Sequence, residues 1–376
     1  MALWLALLVR LVRLMCSSAG VFAFLLLLSF QAAAQSVVFI NPGRSDETFW
    51  RNAAEAMEGA ARSLHMTLEV RYAERNPLQA IAIARDVAAR AERPRFVVFV
   101  NENSVAPEIL KALEAAGIDS FVAFSGIQQI QRAQVGQPRE KFKHWLGSLE
   151  PRAVDAGYMT AKALIETARA SRAAQAQDGR LQLLAIGGDR STLSSMARNA
   201  GMRKAVAEDA DVILVQEVNG EWRRDKAAEQ MRVLAQRYPE ARLVWTGNDE
   251  MALGAMQAWR ARGGTPGRDG FFSTVNTSPA AFAALRSGEL SVLAGGHFMA
   301  GAWALVMLYD YAHGKDFRSE GLELERRMFV LFDPPLIDRF EQRFGASGKP
   351  LDFGKFSKVL NAGVKHYRFE IEALLR

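Results

Sequence analysis

The sequence predicts an α/β protein with two doubly wound, mainly parallel sheets, and three observations carry that prediction. Short runs such as 36–41 (SVVFIN) and 96–100 (FVVFV) are apolar almost throughout, as strands buried on both faces are. Segments with an amphipathic helical period separate them. The alternation passes through four strands, breaks at a loop over 126–143 that carries Gln, Arg and Lys, and then starts afresh.

In order, 36–41 is a strand and 48–64 a helix with small and apolar residues along one face. Strand 67–72, helix 78–91, strand 96–100, helix 106–116 ended by Gly117, and strand 121–124 complete the first set. Trp145-Leu146-Gly147-Ser148 leads into the second. There, helix 153–172 precedes strand 181–186, helix 192–207, strand 212–216, helix 224–238 and strand 243–246. Helix 250–262, strand 271–274, helix 280–287, strand 291–294 and helix 298–312 follow. Ligands of such sheets sit beyond the carboxyl ends of the strands, so function is sought in the loops after them.

Residues 1–34 stand outside this pattern. Arg10 and Arg13, an apolar run over 19–30 and Ala32-Ala33-Ala34 have the three-part form of a secretory signal, with cleavage expected after Ala34. The alternative is an uncleaved anchor, but the clean apolar stretch falls short of the roughly 20 residues a spanning helix needs. The only cysteine, Cys16, lies inside this segment, so the mature chain can form neither a disulfide nor a thiolate site. An exported chain without disulfides fits a bacterial periplasm. The net charge of +6 is spread along the chain and gives no case for nucleic acid.

Signs of catalysis are few. The five histidines show no metal-ligand spacing, and no dinucleotide fingerprint, phosphate loop or nucleophile elbow occurs. No catalytic set, metal or cofactor is expected. The strand-end loops carry hydrogen-bonding and stacking groups instead. After the first strand comes Asn41-Pro42-Gly43-Arg44-Ser45-Asp46-Glu47-Thr48-Phe49-Trp50, in which Asp46 suits hydroxyl groups and the adjacent Phe49 and Trp50 suit the faces of a sugar-like ring. One of those rings serving only as core is the alternative. After the third strand, Asn101-Glu102-Asn103-Ser104 offers Asn103 as a contact, or only caps the next helix. In Gly247-Asn248-Asp249-Glu250, one of Asn248 and Asp249 should cap a helix and leave the other to face a cleft.

Asn248-Asp249-Glu250-Met251-Ala252-Leu253-Gly254-Ala255 resembles a cleft loop of the periplasmic sugar-binding proteins of the ribose-binding type, whose fold is shared by the LacI-family repressor cores. The resemblance spans about 37–314. It implies two lobes joined by a three-crossing hinge, closing on a small polar, sugar-like ligand without a covalent step. It also implies ligand contacts at Phe49 and Trp50, at Arg198 in Arg198-Asn199-Ala200-Gly201-Met202, at Asn248, and at Asn276 in Val275-Asn276-Thr277. Asn248 and Trp50 are placed on opposite walls, where replacing either should lower affinity and leave folding nearly intact. Crossings are expected near Gly147-Ser148, Gly295-Gly296 and 320–323. They divide the chain into a first lobe (35–148 with 296–320), a second lobe (149–295 with 321–335) and a C-terminal extension (336–376).

The partner implied is an ABC permease or, alternatively, a membrane sensor protein. Asn41-Pro42-Gly43 with Trp50-Arg51-Asn52 is also similar to periplasmic autoinducer-2 receptors, which signal to a sensor kinase, but their second cleft arginine has no counterpart at Gly295-Gly296. Ser125-Gly126 likewise replaces the acidic-Arg pair of many sugar binders. An export signal stands where a repressor would carry its DNA-binding helices.

Overall fold

Alternate residues of each early strand enter different cores, and this divides the first lobe into layers. The structure, a computed structural model, describes residues 35–171, 174–345 and 348–375, so the expected signal segment lies outside the described residues. In β1 (Ser36–Asn41), Val37 and Phe39 face one core while Val38 and Ile40 face the other. α1 (Thr48–Ser63) covers the first of these faces. β2 (Thr67–Tyr72) is followed by α2 (Pro77–Ala89), β3 (Phe96–Phe99) by α3 (Ala106–Ala115), and β4 (Asp119–Ala123) by a loop into β5 (Trp145–Pro151). α2 and α3 cover the second face through Ile83, Val87, Ile109 and Leu113. Full burial of each such side chain contributes about 1.5–3 kcal/mol before chain entropy is counted.

The second lobe repeats the plan. α4 (Ala153–Arg169), β6 (Leu181–Gly187), α5 (Leu193–Ala207), β7 (Val212–Asn219), α6 (Arg224–Arg237), β8 (Leu243–Thr246), α7 (Asp249–Ala261), β9 (Phe271–Val275), α8 (Pro279–Arg286) and β10 (Val292–Gly295) follow one another. α4 and α5 cross closely because Gly157 and Gly201 lie against the backbone of the other helix, where a Cβ would collide with Arg198 O and Val154 O respectively. The chain then returns to the first lobe with α9 (Ala300–Ala312), adds β11 (Glu323–Arg326) and β12 (Val330–Leu331), and ends through α10 (Pro334–Phe344). The first sheet has the order β11-β5-β4-β3-β1-β2 and the second β12-β10-β9-β8-β6-β7. Among the described strands every pairing is parallel except that of β12 with β10.

Two of the three crossings differ from the sequence expectation. The segment 145–148 is not a crossing but the start of the fifth strand, so the first crossing falls at Arg152, between β5 and α4. Gly147 hid that strand; it is needed because a Cβ there would strike Leu322 O on the neighbouring segment. The third crossing lies at 327–329, since 323–326 pairs in parallel with β5 of the first sheet and does not join the second lobe. The second crossing sits at Gly295-Gly296, where Gly296 has φ 117° and a Cβ would approach Met328 O to 2.6 Å.

The extension spans both lobes. α10 packs on the second, with Phe340 lying 5.2 Å from Phe282 and 5.5 Å from Phe332. Residues 353–375 return to the first, where Phe369 stacks on Trp303 at 5.4 Å. Buried Asp310 holds this return by accepting from Ser357 Oγ, from Lys358 N–H at 2.7 Å and from the Tyr367 hydroxyl at 2.8 Å. The described residues from Ser36 onward thus form a single contact unit. Among the described residues no helix is long and apolar enough to cross a membrane.

Candidate functional site

The carboxyl ends of the two sheets face one cleft of about 610 Å³, counting the space open at its mouth. Each lobe builds its wall from successive strand-end loops. The first lobe supplies Glu47, Phe49 and Trp50 after β1, Arg75 after β2, Glu102 after β3, and Phe124 and Ser125 after β4. The second supplies Thr192, Ser194 and Arg198 after β6, Trp222 after β7, Asn248 after β8 and Asn276 after β9. His297 and Phe329 come from the second and third crossings, so the hinge itself forms part of the floor.

Backbone conformation aims several of these side chains. Phe124 (φ 66°), Trp222 (φ 62°), Arg75 (φ 60°) and Asn276 (φ 111°) are left-handed, a state that costs a bulky residue about 1–3 kcal/mol and persists where the surroundings enforce it. At the Trp222 position the indole covers Gly188, which has no Cβ to obstruct it.

Charge in the cleft is balanced. Arg75 is held between Glu47 and Glu102, with its Nε donating to Glu47 at 2.9 Å, and it lies 6.0 Å from the Trp50 ring. Burial works against the Arg75 charge, but Glu102 and Glu47 outweigh it and raise its pKa. Burial also raises Glu102, opposed by Arg75. Arg198 has no carboxylate within salt-bridge distance among the described residues; it donates to Gly247 O at 2.6 Å and meets His297 Nε2 at 2.9 Å. Burial lowers its pKa to about 10, partly opposed by Asp249, which leaves it charged at neutral pH. His297 is pushed far below its ordinary value by burial and then by Arg198, so it is neutral. Two cations and two carboxylates, interleaved with Phe49, Trp50, Phe124, Trp222 and Phe329, make a wall for a polar solute with an apolar face.

Of the residues singled out from sequence, Phe49, Trp50, Arg198, Asn248 and Asn276 line the cleft together. Asp46 does not. Its side chain is 83% exposed and pairs with Arg44, while its neighbour Glu47 turns inward to Arg75. Asn103 is also outside the lining; its Oδ1 accepts from Ser191 Oγ at 2.7 Å, a contact between the lobes that the Gln128 amide reinforces by donating to Ser191 O at 2.6 Å.

Trp50 and Asn248 both carry folding as well as facing the cleft. Trp50 is only 5% exposed, wedged 5.0 Å from Phe49 and 5.3 Å from Phe124. Asn248 caps α7 by accepting from Met251 N–H at 3.0 Å, while Asp249 is turned away to accept from Asn276 Nδ2 at 2.8 Å. The expectation that replacement leaves folding nearly intact therefore fails on geometry for Trp50, whereas replacing Asn248 removes a single helix cap.

Sequence reasoning missed Glu47, Arg75, Glu102, Phe124, Trp222, His297 and Phe329. Arg75 and Trp222 could have been found by the strand-end rule, because Glu74-Arg75-Asn76 and Gly220-Glu221-Trp222 follow strands. Phe329 had no such signal, since its crossing was misplaced. Among the described residues no cluster of His, Cys, Asp and Glu is arranged to hold a metal.

The comparisons agree with this architecture. A family model described as periplasmic binding protein domain matches residues 37–316. No curated protein matches. The crystal structure of a periplasmic sugar-binding protein from Pseudomonas fluorescens is 39% identical, with a TM-score of 0.80 over 91% of this chain and 100% of that one. Two further solved structures share the fold at 19% identity. One is the periplasmic binding component of the arabinose ABC transporter from Shewanella sp. ANA-3, bound to L-arabinofuranose, with a TM-score of 0.69 over 83% of this chain and 96% of that one. The other is an ABC transporter solute-binding protein from Bacillus halodurans C-125 with bound myo-inositol, with a TM-score of 0.65 over 83% and 99%. Its paired sheets, hinge crossings and end-to-end likeness to the Pseudomonas protein show that this chain belongs to the periplasmic binding proteins, with the two-lobe type I fold.

Proposed function

We propose that this protein captures a small, neutral, sugar-like solute in the periplasm by closing its two lobes, and delivers the closed complex to an ABC importer. The observation that carries the reading is the cleft: charge-balanced, walled by aromatic rings, and built at the carboxyl ends of both sheets. Apolar ring faces receive the C–H face of a sugar, and the polar groups between them receive its hydroxyls. Among the described residues Trp50 Nε1 and Arg198 Nε are buried without a hydrogen-bond partner, an arrangement that disfavours the empty closed state and that ligand oxygens or hinge opening would relieve. Solute would then shift an open–closed equilibrium, and the contacts of Ser191 with Asn103 and Gln128 would help hold the closed form. The named components of ABC transporters among the solved neighbours support delivery to an importer over presentation to a sensor.

A thermal-shift screen with L-arabinose, D-galactose, D-allose and myo-inositol, followed by calorimetric titration, tests capture. At a hundredfold excess over Kd a true ligand stabilises by about 2.7 kcal/mol. Stabilisation by amino acids or inorganic anions, with none by sugars or polyols, would overturn the reading. Delivery is tested by deleting this gene in the organism that carries it: uptake of the bound sugar should stop, and continued uptake would contradict an importer role.

A further inference from the structure

We propose that His297 is a ligand-selecting residue, a neutral imidazole that keeps its proton on Nδ1 and donates it to an oxygen of the solute. This rests on the reading of the cleft as a sugar site and adds to it a donor with a fixed direction. A guanidinium has hydrogens to give and no lone pair to accept with. Arg198 must therefore donate where it meets His297 Nε2 at 2.9 Å, and Nε2 must accept. In a neutral ring the proton then sits on Nδ1. That atom is buried and has no partner among the described residues, although His297 lines the cleft and is only 4% exposed.

The ring cannot swing to find another partner. It is clamped between Phe49 at 4.7 Å (25° between planes) and Phe329 at 4.6 Å (31°), and neither phenyl edge offers an acceptor. His297 also lies just past Gly295-Gly296, and Phe329 sits in the third crossing, so two of the three crossings hold the donor. A solute oxygen bonded there would be held by the hinge and by Arg198 of the second lobe together. A solute with a carbon in that place would leave the N–H buried and unpaired, which is a strong basis for rejection.

Two measurements test this. Nitrogen-15 histidine NMR of the protein, with the signal assigned by its loss in His297→Phe, should show a protonated Nδ1 and an unprotonated Nε2. The opposite tautomer, or a charged ring at neutral pH, would overturn the proposal. With whichever of L-arabinose, D-galactose, D-allose and myo-inositol binds the wild type, His297→Phe keeps the ring stack and should weaken affinity about tenfold or more. His297→Gln, which can accept from Arg198 and donate to the solute, should recover most of the loss. Equal affinity in wild type and His297→Phe would overturn the proposal. If none of the four sugars binds the wild type, the functional reading falls and this proposal falls with it, an outcome distinct from unchanged affinity in His297→Phe.

Discussion

Replacing Asn248 separates folding from binding, because its two side-chain ends do different things. Its Oδ1 accepts from Met251 N–H at 3.0 Å and caps α7. Its Nδ2 has only a long contact, 3.4 Å to Trp222 O, and is the end available to a solute. Asn248→Ala removes both. The lost cap is worth about 1 kcal/mol, which lowers Tm by roughly 1–3 °C in a chain of this size. The lost solute bond, in a cleft that is dry when closed, is worth about 1–3 kcal/mol, or roughly fivefold to a hundredfold in Kd. Asn248→Ser keeps an oxygen that can cap but is too short to reach the solute. Calorimetric titration with the sugar that stabilises the wild type, beside a melting curve, should show Tm restored in Asn248→Ser and affinity lost in both variants. If serine restores affinity together with Tm, Asn248 acts only through the start of α7, and its place as a ligand contact is wrong.

Other outcomes follow from the same geometry. Trp50→Ala should destabilise the fold by about 3–5 kcal/mol, because it empties an aromatic cluster in which Trp50 is 5% exposed; a melting temperature near wild type would refute that packing. Glu150 accepts from Gly126 N–H at 2.7 Å, yet burial, with Glu325 and Glu323 nearby, pushes its pKa up to about 7 from 4.5. The folded state therefore holds a proton that the unfolded chain has released, so stability falls as pH rises from about 4.5 to about 7, by up to about 3 kcal/mol. Glu150→Gln should flatten that part of a chemical-denaturation series, and an unchanged pH slope would show that Glu150 titrates normally. Asp310→Ala leaves Lys358 N–H and the Tyr367 hydroxyl without their acceptor. It should free residues 353–375 to limited proteolysis while α10 stays protected on the second lobe, and unchanged resistance would mean that packing alone holds the tail.

Much of the fold was legible because its strands are buried on both faces, and segments such as FVVFV leave little choice of structure. What escaped were strands whose sequence obeys a neighbour. β5 contains Gly147 to clear Leu322 O, and β11 (ELER) is a charged edge strand recognisable only by its pairing with β5. The cleft was legible where a residue follows a strand and opens a helix, as Phe49, Asn248 and Asn276 do. It was not legible where a partner far along the chain decides. Nothing local says that Glu47 turns inward and Asp46 outward, because the cause is Arg75, 28 residues from Glu47. Asn103 has the composition of a contact residue, but Ser191 of the other lobe takes its Oδ1. Phe124, read from sequence as the last residue of a strand, reaches the cleft through left-handed backbone that no residue preference announces.

Closure around solute is the central claim, and an interlobe distance measures it most directly. Cys16 is the only cysteine, so Cys16→Ser leaves a background for placing two labels. Gln79→Cys on α2 and Glu229→Cys on α6 put spin labels on exposed positions of the two lobes. Double electron–electron resonance should show a broad or longer distance in the free protein and a single shorter one when the stabilising sugar is saturating. A distance distribution unchanged by a sugar that demonstrably binds would contradict hinge closure as the way this protein works.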